Sequence, residues 1–380
     1  MLDTSRRTVY NEEHEVFRDS VRKFYAKEIV PHLDRWEKAG LIEPAVMKKL
    51  GDAGFLCPTV PEAYGGLGLD FRYNAVVAEE NSYVDSMVLV TLQSDVVVEY
   101  LVHYGSEEQK QKWLPRCVSG DTILAIAMTE PGAGSDLQSI RTSAVRDGDD
   151  YVINGAKTYI SAGQNCTLAI VVAKTDMSAG ARGISLFLVE SDRPGFTRGR
   201  NLDKIGQNAA DTSELFFENV RVPATNLLGQ ENMGFAYMMS QLPQERLSIA
   251  VSSQAMAQRA YDEAVRFTKE RTAFGKKVFE FQNTRFTLAD LKARLQVGWA
   301  HLDWALARHV RKQLTADEAA AAKLFHTELL WEVCDTSLQL HGGAGYMNEY
   351  PIARMWRDAR VMRIFGGSSE IMKELMSRTI

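Results

Sequence analysis

Between Glu12 and Ile29 the apolar residues Val16, Phe17, Val21, Phe24 and Tyr25 recur at the spacing of one helix face, and Pro31 follows as a stop, so the pattern predicts an amphipathic helix. Past about Asp121 the period changes. Short β-rich runs at Ile123 to Met128, Tyr151 to Ile153, Leu168 to Ala173 and Ile184 to Val189 are separated by turn signals, among them Asp147-Gly148 and Asn154-Gly155, which suit the hairpins of an antiparallel domain. Beyond about Asn226 long helical stretches return at Glu245 to Arg271, Thr284 to Val310 and Ala316 to Leu340, broken by Gly275 and by the glycines at 342, 343 and 345. The plan is α+β: an N-terminal helical domain (1–120), a middle β domain (121–225) and a C-terminal helical domain (226–380). No repeating unit is visible, and the segregation of helix from strand argues against a doubly wound nucleotide fold.

The 380 residues, 45% of them hydrophobic and 24% charged, describe a folded chain large enough for several packed domains. A net charge of -5 leaves no global basic field for nucleic acid. Charges interrupt every apolar stretch of the amino end, and no later run is apolar enough to span a bilayer. Cys57, Cys117, Cys166 and Cys334 form no CxxC pair, so a zinc ribbon or redox pair is not expected, nor is a metal; ordinary core cysteines in a reducing cytoplasm fit best, or a mitochondrial matrix if a transit peptide has been removed. No GxGxxG follows a strand, and GxxxxGK[ST], HExxH and GxSxG are missing.

One stretch stands out. AMTEPGAGSD, from Ala127 to Asp136, sets two glycines and a hydroxyl after an expected strand, where backbone N–H groups could approach a flat or phosphorylated ligand; on residue chemistry alone the same stretch serves as an ordinary turn. Taken with RTAFGKK (Arg271 to Lys277), Gln282 and QLHGGAGYMNEYP (Gln339 to Pro351), TEPGAGSD makes the whole chain resemble the acyl-CoA dehydrogenase family. GISLFLVE, DTSELFFENVR, LPQERL and IFGGSSEIMKEL sharpen the resemblance toward its long-chain branch.

The resemblance implies a C-terminal four-helix bundle, FAD as cofactor, acyl-CoA as substrate, an electron-transferring flavoprotein as acceptor, and a homotetramer built as a dimer of dimers. It implies α,β-dehydrogenation of medium- to long-chain acyl-CoA to the trans-2-enoyl thioester, a step of fatty acid β-oxidation. Ile126, Met128, Thr129, Gly134, Ser135, Tyr159, Ile160 and Ser161 would line the flavin, with tyrosine at 159 where many family members have tryptophan. Arg271, Phe274, Gln282, Gln339, Leu340, His341, Gly342 and Gly343 would reach the FAD of a neighbouring subunit, and Ser368, Ser369 and Glu370 would complete the cofactor contacts. Ser135, Pro243, Gln244, Arg246, Gly366 and Gly367 would meet the substrate.

The catalytic base decides the branch. Short- and medium-chain members carry a glutamate just after the aromatic residue that is Phe365 here, but this chain has Gly366; the long-chain and isovaleryl branches take the base from the LPQER helix, where it supplies Glu245. A carboxylate facing an apolar acyl chain loses water, which raises its pKa and makes it a better base near neutrality. The resemblance implies that the thioester oxygen accepts hydrogen bonds from a flavin ribityl hydroxyl and from the backbone N–H at the position of Gly366, and glycine keeps that N–H. A glutamate placed at 366 is therefore expected to restore part of the rate to a Glu245→Gln variant. The competing readings are a dehydrogenase for isovaleryl-like or terpenoid acyl-CoA, an acyl-CoA oxidase, and a catalytically silent flavoprotein scaffold.

Overall fold

A computed structural model describes all 380 residues. The N-terminal part is helical: α1 (Glu12–Phe24), α2 (Leu33–Ala39), α3 (Ala45–Asp52), α4 (Phe71–Tyr83), α5 (Val98–Tyr104) and α6 (Glu107–Val118). At the start of α1 the Asn11 side chain accepts from the His14 N–H, and Glu12, Glu13 and Glu15 complement the helix dipole. The helix expected from Glu12 to Ile29 is present but not uniform, since a π turn over Tyr25–Ile29 follows α1 and a 3-10 turn carries the chain through Pro31 to His32. A second π turn, Leu92–Val97, runs directly into α5.

The middle part is an eight-stranded sheet: β1 (Leu124–Ala127), β2 (Ser143–Asp147), β3 (Asp150–Ser161), β4 (Leu168–Lys174), β5 (Ile184–Glu190), β6 (Phe196–Asn201), β7 (Thr212–Pro223) and β8 (Leu227–Leu228). Its order is β6-β7-β3-β2-β4-β5-β8, with β1 beside β4. β4 and β5, apolar almost throughout, lie buried. Two departures from the expected hairpin domain follow from pairing. β1 runs parallel to β4, and β2 also meets β4 in parallel, at Ser143 and Lys174. Asp147-Gly148 does turn the β2–β3 hairpin, with Gly148 at φ 64°. Asn154-Gly155 does not turn the chain: both residues lie inside β3, which stays extended because β2 and β7 pair with it on either side, and the irregularity is absorbed as a register shift beside Gly155. A Cβ on Gly155 would come within 2.4 Å of Thr142 Oγ1, so this glycine is kept for a close approach.

The C-terminal part comprises α7 (Gly234–Glu270), a short hairpin of β9 (Thr272–Ala273) and β10 (Lys276–Lys277), then α8 (Gln282–Val310), α9 (Ala316–His341), α10 (Pro351–Ala359) and α11 (Ser369–Ser377). α7, α8, α9 and α11 form the bundle, and α4 and α5 pack onto α7 from the N-terminal part. α7 begins well before the expected Glu245 and passes through Pro243. Proline removes one helical hydrogen bond, but packing along the helix outweighs that loss. All four cysteines are buried and unpaired, as core residues should be.

The N-terminal and C-terminal helical parts are joined by a buried charge cluster. Glu79, wholly buried on α4, lies 2.8 Å from both Arg7 and Arg18; Arg18 also pairs with Glu80 at 3.0 Å, while Arg7 bonds Asp303 on α8. The two guanidinium groups, led by Arg7, outweigh burial and hold the Glu79 carboxyl below its usual range. Its charge therefore stabilises the fold above the ordinary carboxylate pKa, and that contribution is lost as pH falls through the lowered value. Glu79→Gln removes the carboxylate that two buried cations share, leaving Arg7 with Asp303 and Arg18 with Glu80, and should destabilise the protein by about 3 kcal/mol, read as a fall in midpoint in denaturant or thermal unfolding; an unchanged midpoint would show that Glu79 contributes nothing net.

Candidate active site

Glu245 lies two turns beyond Tyr237 and one beyond Gln241 on a single stripe of α7 that continues to Ile249, because residues four apart share a helix face. α5 covers this stripe. The Tyr100 hydroxyl donates to Glu245 Oε1 at 2.9 Å, Gln241 Nε2 donates to the Tyr104 hydroxyl at 3.1 Å, and the Tyr104 ring stacks on Tyr237 at 4.0 Å. Glu245 is 8% exposed. Loss of water pushes its carboxyl up to about 7, the Tyr100 bond and the Arg246 charge opposing that rise. Arg246 is buried as well, its Nε–H has no partner in the chain, and burial pulls its pKa down.

The loop at Gly366 and Gly367 lies against the same stripe. Both glycines have positive φ, 64° and 98°, and a Cβ on Gly366 would sit 2.3 Å from Ile249 Cδ1. These two features oppose the expected rescue by glutamate at 366, since the side chain would strain the backbone and displace Ile249. Lys323 of α9, buried, donates to the Gly367 carbonyl at 2.8 Å and fixes the loop. Just beyond it, Ser368 caps α11 by accepting from the Ile371 N–H, and the Ser369 hydroxyl donates to Glu328 at 2.6 Å. Both hydroxyls are thus engaged within the chain, while Glu370 is exposed. Pro243 and Gln244 are half-buried on α7, where Gln244 Nε2 donates to the Asp95 carbonyl at 2.8 Å.

A second group gathers at the end of β1 and the end of β3. Ile126, Met128, Thr129 and Ser161 are half-buried and Ile160 is buried, whereas Gly134, Ser135 and Tyr159 are exposed. The loop after β1 is held by a pair that sequence reasoning missed. Lys157, wholly buried, donates to the Met128 carbonyl at 3.0 Å and to Glu130 Oε1 at 2.9 Å, and the Glu130 carboxylate accepts from the Arg141 and Thr142 N–H groups. Tyr159 has φ 58°, a conformation costly for an aromatic residue, and is 70% exposed. A Cβ on Gly132 or Gly134 would meet nothing within 4 Å, so packing inside the chain does not explain these glycines.

A third group lies roughly 40 Å along α7 from Glu245, at ~1.5 Å per residue. Arg271 ends α7, Phe274 and Gly275 form the positive-φ tip of the β9–β10 hairpin, and Gln282 opens α8; Arg271, Phe274 and Gln282 are exposed, Phe274 almost completely (96%). Gln339, Gly342 and Gly343 are exposed at the end of α9, and no atom lies within 4 Å of a Cβ on either glycine. Leu340 is half-buried, and the buried His341 ring stacks on Phe267 at 4.2 Å and bonds the Ser337 carbonyl through Nδ1. The structure thus brings Glu245, Gly366 and Gly367 together and keeps the third group apart from them within one chain.

Comparison with known proteins settles the family. The chain matches the profiles described as Acyl-CoA dehydrogenase N-terminal domain (residues 11–121), middle domain (125–220) and C-terminal domain (232–380). It belongs to the acyl-CoA dehydrogenase family. It is 47% identical to the long-chain specific acyl-CoA dehydrogenase, mitochondrial, of Sus scrofa, over 100% of this chain and 89% of that protein. The crystal structure of acyl-CoA dehydrogenase from Geobacillus kaustophilus superposes with a TM-score of 0.97 at 48% identity, covering 98% of this chain and 99% of that one. A glutaryl-CoA dehydrogenase from Mycobacterium smegmatis, solved in complex with FADH2, superposes at 0.93 with 28% identity, covering 99% and 96%.

Acyl-CoA dehydrogenases are FAD-dependent oxidoreductases, and this chain fits that cofactor. Open glycines at 132, 134, 342 and 343, two exposed aromatic residues held at positive φ, and an exposed arginine are features its own packing does not require. Backbone strain at Tyr159 makes a test. Glycine accepts this conformation freely, so Tyr159→Gly should leave the cofactor-free protein as stable or more stable by about 1 kcal/mol, while FAD dissociation, followed by fluorescence, rises about tenfold with loss of ring packing. Parallel loss of stability and affinity would assign Tyr159 to structure alone.

Proposed function

We propose that this acyl-CoA dehydrogenase acts on straight saturated acyl-CoA of medium to long chain, with Glu245 as base and an electron-transferring flavoprotein as the acceptor. The observation that carries the assignment is the paired exchange of residues: position 366 can bring no side chain, and a buried carboxyl of pKa about 7 stands on the facing stripe of α7. A base with that pKa is half ionised near neutrality and matched to abstraction of the proton next to a thioester. Glu245 takes that proton, the Gly366 N–H and its loop stabilise charge on the thioester oxygen, and Arg246 keeps the ionised carboxylate accessible near pH 7. Bound FAD would supply the acceptor for the hydride of the neighbouring carbon, so that loss of proton and hydride together leaves the two carbons joined by a double bond. The third group of residues supports a shared-site homotetramer, since features roughly 40 Å from Glu245 serve a neighbour's cofactor more readily than their own.

The branched-chain reading keeps one supporting observation, because the same position of the base on α7 suits it. Turnover across a series of acyl-CoA esters with an artificial acceptor separates the two: straight chains should be the faster substrates, and a higher kcat/KM for isovaleryl-CoA would favour the alternative. Glu245→Gln should lower kcat by at least about a hundredfold with FAD still bound. In the unmodified enzyme kcat/KM should rise with pH through about 7, as the raised Glu245 carboxyl ionises. Full activity of Glu245→Gln would place the base elsewhere.

A further inference from the structure

The strip of α5 facing Glu245 holds an ionisable group that the reaction as described leaves unused. Tyr100 is fully buried, and its hydroxyl donates to Glu245 Oε1 at 2.9 Å from a helix far away in sequence. Desolvation and the adjacent carboxylate hold the phenol well above its ordinary pKa, so at working pH it remains a neutral donor. The flanking contacts repeat at one-turn intervals. On one side Tyr104 bonds Gln241 and stacks on Tyr237; on the other, Gln244 bonds the Asp95 carbonyl and Ser248 donates to the Asp95 carboxylate at 2.5 Å. α5 and the π turn before it are therefore fastened to α7 on both sides of Glu245.

We propose that Tyr100 is a positioning residue for the base, holding Oε1 of Glu245 by a hydrogen bond so that its other oxygen faces the substrate. The inference rests on the assignment of Glu245 as the base. A neutral donor to one oxygen fixes the rotamer of a side chain that otherwise has three torsions to order, and it stabilises the ionised form without adding a charge. When the free oxygen takes the proton, Tyr100 still has an acceptor in Oε1, so the step leaves no buried donor unpaired.

The other titratable groups around this seam are accounted for. On α7 itself, Arg246 lies beside Glu245 and favours its ionised form. Asp95 and Glu99, with carboxyls raised by burial, precede Tyr100, and His103 and Tyr104 follow it. From α4 come Glu79 and Glu80, engaged by Arg7, Arg18 and Arg22; from α8 comes His309, bonded to Gln244; from α9 come Lys323 and the buried His326. Tyr100 bonds Glu245 directly and Arg246 adjoins it, and both favour its ionised form.

The test is Tyr100→Phe in the FAD-loaded enzyme, alone and combined with Glu245→Gln. Alone, it should move the acid limb of kcat/KM upward by about one pH unit and lower kcat on the alkaline plateau by about tenfold or more, through lost orientation. KM for acyl-CoA should change little. Infrared difference spectra of the substrate-free enzyme, with Glu245→Gln as the blank, should show the protonated carboxyl persisting to the same higher pH. In the Glu245→Gln background the tyrosine substitution should cost nothing further, because the residue acts only through the carboxylate. An unmoved acid limb and infrared titration, or an additive loss in the double variant, would overturn the inference while leaving Glu245 as base. Full activity of Glu245→Gln alone would instead overturn the base assignment, and Tyr100 with it.

Discussion

Helix α7 is packed along most of its length, with α9 and α8 on one side and α4 and α5 on the other, so a carboxylate on its inner stripe leaves water whether or not chemistry needs it there. An unmatched buried charge costs several kcal/mol, and the surroundings of Glu245 are arranged around that cost. Tyr100 offers a neutral donor, Arg246 a nearby positive charge, and neither cancels the desolvation completely. A carboxylate given a bidentate arginine would be stable and a poor base. One given nothing would remain protonated. The intermediate state follows from a single hydrogen bond and an adjacent cation within a dry seam.

The same seam explains why Gly366 is not an isolated substitution. Its backbone turns at positive φ directly over Ile249, so the loop can lie close to α7 only without a side chain. Lys323 then ties the loop to α9 through the Gly367 carbonyl. Glu245 on one helix and the small loop facing it are thus two sides of one packing solution: a bulkier residue at 366 would push the loop away from the face that carries Glu245.

The order of helices, sheet and helices was legible because each part has its own hydrophobic period, and the long apolar strands β4 and β5 lie where their β-branched runs put them. Local signals failed where a tertiary partner overrode them. Asn154-Gly155 reads as a turn, yet β3 is held extended from both sides; the helical stretch expected from Glu245 begins instead at Gly234, and α7 is packed through Pro243. Glu245 could be singled out from paired residue choices at two positions, but Tyr100 could not. It sits in an apolar stretch that announces only a buried helix, and its contact joins residues 145 apart in sequence. Lys157 and Glu130 were hidden for the same reason: each is an ordinary charged residue until the fold closes them into a buried pair.

That buried pair has a consequence for how a ligand meets the loop after β1. Two backbone N–H groups and an ammonium converge on Glu130, and the ammonium also holds the Met128 carbonyl, so the shape of the loop is settled when the sheet folds. Conformational freedom that a flexible glycine-rich segment would surrender on binding has already been surrendered during folding. The entropy of ordering is thereby moved to the formation of the domain, and a ligand docking there would meet a preformed surface.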